Sequence, residues 1–426
     1  MNLSVDADLK NKTMDTISAE SYSGAGKITV NKVKIIKDTN EKEVTLTFTN
    51  DVLKNKVEFT GTVETLFYNY DATYDNTTGK FTFINEGGSG LVNMATAASA
   101  VASSVGGYAT QSAVINQAFA GIDRQMAQKV QPKTVAPQPT NKKDTKQNSK
   151  TKNLKSSNLP SNLYVSAGNQ IFDDSATIER SLWLRPFALQ ETIKLNGVDI
   201  DNTLYGTLAG IDLPVGQDKQ LSFYLGYAGS KQEFDEVKTN QTGYLVGLTG
   251  MLVKEKWYLG VTANGIFNKV SADSEDETND FDMNMFTIGA KAGYNIDLSD
   301  KWILEPNITV MYGIANSDSY QTSLGSIDSQ STSNILVEPQ VKAKWQLTNG
   351  WQPYGLVGYS ANLSNKPKVK AGGEELELDS IDGFVEYGIG VNKEFIGSVW
   401  SCYGQVTGRS GGRNGFGGNL GIKYKF

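Results

Sequence analysis

The stretch WYLGVTANGIFN, residues 257–268, sets Trp257, Leu259, Val261, Ala263, Gly265 and Phe267 at odd positions, with Tyr258, Thr262, Asn264 and Asn268 between them. A period of two puts these two sets on opposite faces of a β-strand. The same alternation returns in Trp302, Leu304, Pro306, Ile308, Val310 and Tyr312 against Glu305, Asn307 and Thr309. It returns again in Ile335, Val337, Pro339, Val341, Ala343 and Trp345 against Glu338, Gln340, Lys342 and Lys344. About twelve such runs begin near Ser181, Thr203, Leu221, Tyr244, Lys256, Met285, Lys301, Asn334, Trp351, Gly383, Ser398 and Phe416.

The connections decide what twelve strands build. Even-numbered runs end in short turns: Pro214 to Gln220, Val253 to Lys256, Leu298 to Lys301, Leu347 to Gly350 and Phe395 to Ser398. Odd-numbered runs lead mostly into long polar stretches: Glu191 to Asn202, Ser230 to Gln241, Val270 to Asp282, Ala315 to Ser333 and Leu363 to Ser380. Short turns on one rim and long loops on the other describe a transmembrane barrel. Trp183, Trp257, Trp302, Trp351 and Trp400 open odd runs and Trp345 closes an even one, so all six tryptophans are expected as an interface girdle on the short-turn rim. The chain ends on Leu420, Ile422, Tyr424 and Phe426, alternating with polar or small residues. The twelfth strand must pair with the first to leave no open edge. Proline at 186, 306, 339 and 353 cannot donate to a ladder and is expected at rims or bulges.

Composition fits this picture and removes others. The 426 residues contain no histidine and one cysteine, Cys402, which excludes Ser-His and Cys-His catalysis, histidine metal sites and internal disulfides. No catalytic, cofactor or metal site is expected. A net charge of -6 and a pI near 5.1 argue against nucleic acid as a partner. The mean hydropathy of -0.35 resembles that of a soluble protein. A barrel hides from this measure, because lipid-facing residues alternate with polar lumen residues. The Gly411 to Gly418 stretch reads as a hairpin before the last strand, and not as a phosphate cradle.

Ahead of the barrel, residues 1–88 are polar and β-prone, with runs such as Lys27 to Ile36, Glu43 to Thr49 and Phe81 to Ile84. Residues 89–128 are rich in Ala, Ser, Gly and Val, and Ala109 to Ala127 is the one good helix candidate. Nineteen residues from 109 to 127 make about 28 Å of helix at 1.5 Å each, close to the hydrocarbon thickness. A twelve-stranded lumen is wide enough for one slim helix; a helix packed outside the barrel is the alternative. Residues 129–160 hold eight lysines against the single Asp144, together with four prolines. They carry +7, which leaves the rest of the chain at -13. That composition predicts a disordered linker, from about 129 to 178, or alternatively a basic segment for anionic lipid.

The segment Ala113 to Gln125 (AVINQAFAGIDRQ), the opening SLWLRPFAL of Ser181 to Leu189, the Leu304-Glu305-Pro306 and Val337-Glu338-Pro339 runs, PYGLVGY from Pro353, VEYGIGV from Val385 and the terminal YKF resemble, in this order, the translocator domain of autotransporters, the type V secretion proteins of the outer membrane. The resemblance spans roughly residues 105–426. It implies an all-β membrane protein: a 12-stranded antiparallel transmembrane β-barrel at 179–426, a helix through its pore, and the carboxyl end of a surface passenger at 1–88. The implied partners are outer-membrane lipid and lipopolysaccharide, periplasmic chaperones, the barrel-assembly machinery and the chain's own passenger, with a monomeric barrel. Asn116, Phe119 and Arg124 are then pore-helix residues. Asp212, Glu305, Glu338, Lys342 and Glu386 are lumen-facing candidates from the alternation, with Arg124 as a counter-charge. Leu420, Ile422, Tyr424 and Phe426 resemble the assembly signal of the family.

Three departures qualify the match. Met1 to Asp6 lacks the basic start and apolar core of a secretion signal, so the chain is expected to be a fragment or truncated product. The lysine-rich linker is long for the family. Some relatives cleave their passenger at an Asn-Asn step, whereas Asn116 is followed by Gln117 and no Asn-Asn pair occurs. The expected function is export and anchoring of the passenger, with the helix plugging the pore. A channel with a separate amino-terminal plug or periplasmic domain is the alternative.

Overall fold

The computed structural model describes residues 2–86 (except 66 and 69), 94–120, 164–166, 170–172 and 179–426, apart from 13 positions in the connections between strands. The lysine-rich stretch 129–160 and Arg124 lie outside the described residues.

Twelve antiparallel strands form the carboxyl-terminal half: β1 (Ser181–Leu195), β2 (Val198–Pro214), β3 (Lys219–Phe234), β4 (Val237–Val253), β5 (Trp257–Asp273), β6 (Thr278–Tyr294), β7 (Trp302–Ser317), β8 (Gln330–Trp345), β9 (Trp351–Asn362), β10 (Phe384–Glu394), β11 (Trp400–Gly411) and β12 (Arg413–Lys425). Each pairs with its sequence neighbours, and β12 pairs with β1 from Lys425 opposite Ser181 to Arg413 opposite Ile193. The sheet is therefore closed, and no strand edge is left to face lipid.

Alternation sorts the residues as the period of two requires. Leu182, Leu184, Phe223, Leu225, Val246, Val261, Phe267, Ile288 and Val310 are exposed on the outside. Asn202, Gln232, Thr239, Gln241, Thr249, Thr262, Asn264 and Thr287 are buried within. Five tryptophans, Trp257, Trp302, Trp345, Trp351 and Trp400, are 41–46% exposed at the short-turn rim, with Trp302 and Trp345 stacked at 5.8 Å. Trp183 corrects the expected girdle of six: it is 4% exposed and points inward. It shares its face with Ser181 and Arg185, while Leu182 and Leu184 face lipid. In β1 the outward register belongs to the even positions, so the aromatic residue nearest the rim is an inner one.

A second girdle was not anticipated. Tyr244, Phe267, Phe286, Tyr312, Tyr359, Tyr387 and Phe416 are exposed nearer the long-loop rim. Trp257 and Phe267, like Trp302 and Tyr312, stand ten residues apart on one strand. At about 3.4 Å per residue and a tilt near 40°, that separation is about 25 Å across the membrane.

The long polar connections also differ from expectation. Glu191–Leu195 with Val198–Asn202, and Ser230–Phe234 with Val237–Gln241, are strand, paired out to Leu195 opposite Val198 and Phe234 opposite Val237. Polar residues do not end a strand whose backbone partner continues, so these hairpins stand out beyond the bilayer. The two longest connections carry small hairpins, Tyr320–Thr322 with Gly325–Ile327 and Lys368–Ala371 with Glu374–Glu377. Ile327 pairs with Ala371, which joins them into one four-stranded sheet. Pro306 and Pro353 pair near the short-turn rim, whereas Pro186 and Pro339 lie inside their strands. The ladder skips Arg185 and Pro186 on β1, and Glu338 and Pro339 on β8, so a gap replaces the expected bulge.

Residues 2–86 form a separate small β unit. Asn2–Asp8, Ile28–Lys37 and Val57–Glu64 run parallel, and Glu43–Thr47, Lys80–Asn85 and Tyr70–Asp75 form an antiparallel sheet. Val30, Val33, Ile35, Phe48, Phe81 and Phe83 fill the core between them.

A helix follows, made of α1 (Met94–Val101), a π turn (Ala102–Gly107) and α2 (Tyr108–Phe119). It starts 15 residues before the expected Ala109, and its described part ends at Phe119. Alanine, serine and glycine give it no apolar stripe because the barrel wall surrounds it on every side. Periodicity therefore could not mark its beginning.

Candidate functional site: the filled lumen

The helix lies inside the barrel, and its direction can be read from its contacts. At the long-loop end, Ser99 accepts from Gln330 Nε2 at 2.9 Å, and Ala97, Ala98 and Val101 share an apolar cluster with Val369, Ala371, Leu378 and Ile381 of the outer sheet. Phe281 stacks on Tyr320 at 4.8 Å in the same cap. Phe67 of the amino-terminal unit joins this cluster, and Lys34 Nζ donates to the carbonyl of Ser323 at 3.4 Å. At the short-turn end, Phe119 packs with Ile115, Met251, Val253 and Tyr258.

Along its length the helix is held by polar wall residues. Ser103 and Thr332 hydroxyls are 3.0 Å apart, and Gln241 Nε2 donates to the Ala102 carbonyl at 2.8 Å. Asn334 Nδ2 donates to Gln111 Oε1 at 2.8 Å. Tyr403 donates its hydroxyl to Gln117 Oε1 at 2.8 Å. Arg185 Nη1 donates to the carbonyl of Gln117 and, at 3.4 Å, to that of Ala118. A cation at the last carbonyls of a helix opposes the negative end of its dipole.

The buried charges form three groups on the wall. Asp212 accepts from Trp183 Nε1 at 2.8 Å, Ser181 at 2.9 Å and Ser222 at 2.8 Å, and pairs with Lys423 at 3.0 Å. The Arg185 guanidinium lies 3.7 Å over the Trp183 ring. Glu191 receives Arg413 Nε at 2.8 Å, Arg409 Nη1 at 3.0 Å and Asn202 Nδ2 at 3.0 Å. Arg409 continues to Glu386 at 3.0 Å, and Arg413 lies 5.2 Å from the Tyr108 ring of α2. Glu305 is bridged by Lys344 and accepts from Tyr258 at 2.7 Å. Low-dielectric surroundings make an unpartnered charge expensive, which explains why these groups are clustered.

The expected lumen residues can now be placed. Asp212, Glu305, Glu338, Lys342 and Glu386 are all at most 5% exposed on the inner face. Glu338 accepts from Ser360 at 2.9 Å, and Lys342 lies 5.6 Å over the Tyr354 ring. Wall cations face Asp212, Glu305 and Glu386: Lys423, Lys344 and Arg409 in turn. Asn116 is half-buried and lines a cavity of about 90 Å³ with Lys291, Glu338, Lys342, Glu386 and Arg409. That is room for about three waters. Sequence reading missed Arg185, Glu191, Arg409, Arg413, Lys344 and Lys423. Parity held the signal for two of them, since Arg185 and Glu191 share the odd register of Ser181 in β1.

A family model described as Autotransporter beta-domain matches residues 182–425. No curated protein matches the chain. Among solved structures, the transport unit of the autotransporter AIDA-I from Escherichia coli is similar at 20% identity and a TM-score of 0.50, covering 58% of this chain and 90% of that one. The beta domain of the Bordetella autotransporter BrkA is similar at 20% identity and 0.49, covering 58% and 100%. The translocator domain of autotransporter NalP from Neisseria meningitidis is similar at 15% and 0.49, covering 58% and 89%.

Proposed function

The chain belongs to the autotransporter β-domain family, and from that premise we propose how its parts divide the work. The β-domain is an outer-membrane translocator that exports its own passenger to the cell surface. In our reading, residues 2–86 are the carboxyl end of that passenger, and the helix from Met94 to Phe119 is the last exported stretch, retained as a plug and anchor. The observation that carries this is the direction of the chain: it enters the lumen beneath the outer sheet and reaches the short-turn rim at Gln117, beside Arg185 of β1.

The barrel needs no side-chain chemistry for this task. Its wall supplies a water-compatible passage while the chain moves, and hydrogen-bond partners for the helix once it stops. The outward row Leu420, Ile422, Tyr424 and Phe426 on the closing strand is the surface we assign to the barrel-assembly machinery. The test is conductance across planar bilayers. The full chain should conduct little, and deletion of residues 94–119 should open a large, stable pore. Equal conductance of the two proteins would reject the plug.

A further inference from the structure

Where the helix meets the wall, a glycine on one side leaves room that a side chain on the other fills, and three such contacts would bring an added Cβ closer than 3.0 Å. A Cβ on Gly313 of β7 would stand 2.5 Å from Gln111 Nε2, and one on Gly289 of β6 would stand 2.8 Å from Ile115 Cδ1. A Cβ on Gly106, in the π turn, would stand 2.2 Å from Gln241 Nε2 and 2.6 Å from Gln232 Nε2. In each case one partner belongs to the helix and the other to the wall.

The spacing of the notches matches the helix. Gln111 and Ile115 are four residues apart, on one face and separated by about 6 Å of rise. Gly313 pairs with Thr287, two residues from Gly289, so the two wall notches are offset by about 7 Å along the strands. The notches also differ chemically. Gln111 Nε2 donates to the carbonyls of Phe286 at 3.4 Å and Ile314 at 3.2 Å, while its Oε1 accepts from Asn334. Ile115 is fully buried in an apolar cluster. Sliding the helix by one turn would bring Ile115 or Gly107 to the amide notch, and neither can accept from Asn334. The two glutamines facing Gly106 are fixed in turn: Gln232 Nε2 donates to Asn202 Oδ1 at 2.9 Å, and Gln241 Nε2 to Gln232 Oε1 at 3.0 Å.

We infer that these notches set the register at which the exported chain halts, with Gln111 and Ile115 as positioning residues read by Gly313 and Gly289. The inference rests on the helix being the retained end of the exported chain. It adds that export ends at one defined residue because the lumen is complementary to one helix register. Friction or the end of the chain would not produce that result.

The test is disulfide trapping in the full chain carrying Cys402→Ser. The pair Ser103→Cys with Thr332→Cys reports the native register, and Ser99→Cys with Thr332→Cys reports a helix moved one turn toward the periplasm. The parent notches should give mainly the first disulfide. Gly313→Leu should lower its yield at least fivefold, and adding Gln111→Ala should restore most of it. Ile115→Trp fills a notch from the helix side and leaves the wall unchanged, so it covers the case in which Gly313→Leu fails to assemble. An unchanged native disulfide in assembled Gly313→Leu or Ile115→Trp barrels would overturn the register lock. Absence of that disulfide in the parent would instead overturn the plug itself.

Discussion

Replacing Arg185 by alanine should loosen the helix while leaving the barrel assembled. Arg185 is 1% exposed and stands on β1, where its Nη1 serves the carbonyls of Gln117 and Ala118. A hydrogen bond from a charged donor contributes about 1.5–3 kcal/mol, and a cation at a partly buried helix end up to about 2 kcal/mol. The contact with Trp183 lies within the wall, survives undocking and cancels from the difference. About 3 kcal/mol of seating free energy is therefore lost, equivalent to about a hundredfold in the docking equilibrium. Single-channel recording reads this directly: openings of the full-length Arg185→Ala protein should occupy about a hundred times more of the record than those of the parent. Arg185→Lys keeps the charge near the helix end and should fall between the two. If Arg185→Ala barrels of normal heat-modifiable migration open within threefold of the parent, the capping argument is wrong.

Single-tryptophan chains should separate the two faces of the rim. Brominated lipid should quench Trp257, Trp302, Trp345, Trp351 and Trp400 but spare Trp183, and equal quenching would return Trp183 to the girdle. Glu191→Gln leaves Arg409 and Arg413 facing a neutral amide, at a cost of about 3–5 kcal/mol. It should lower the temperature at which the barrel loses its fast gel migration, and Arg413→Met on the same chain should recover part of that loss. Phe426→Ala keeps the backbone bond from Phe426 N–H to the Arg180 carbonyl at 3.0 Å but removes an outward ring that is 58% exposed. It should reduce the amount of protein reaching the membrane more than the heat resistance of what arrives; unchanged insertion would remove this ring from the assembly signal.

What the sequence disclosed follows from which forces are local. Two-residue alternation is imposed strand by strand by lipid on one side and a wet lumen on the other, so Trp257 to Phe267 is readable without any neighbour. The register of β1 is also local, yet a place near the rim does not decide which face Trp183 takes; its odd position, shared with Ser181 and Arg185, does. The ends of the hairpins depend on the partner strand: Glu191–Leu195 and Val198–Asn202 alternate polar with apolar residues, and only the opposing backbone shows how far they remain paired. The start of the helix depends on tertiary enclosure, since Ser99, Ser103 and Gln111 look like surface residues until Gln330, Thr332 and Asn334 are set beside them. The counter-charges of the lumen were equally non-local. Arg413 and Glu191 are 222 residues apart in sequence and meet only when the sheet closes.

That last separation bears on how the cylinder is made. Three buried ion pairs cross the junction of the first and last strands: Glu191 with Arg413, Glu191 with Arg409, and Asp212 with Lys423. Before closure, the leading edge of the sheet carries the two carboxylates and the trailing edge the three cations, while Arg185 is committed to the helix. The unclosed sheet is thus polarised, with opposite charges facing across the opening that must shut. Opposite charges attract over a screening length of about 8 Å at physiological salt, so these pairs favour closure once the edges come that near. An offset of one residue would turn the pairs to opposite faces and strand the charges against lipid. The ladder of this junction has its own gap at Arg185 and Pro186, so charge complementarity adds to an interrupted row of backbone bonds in holding the closing register.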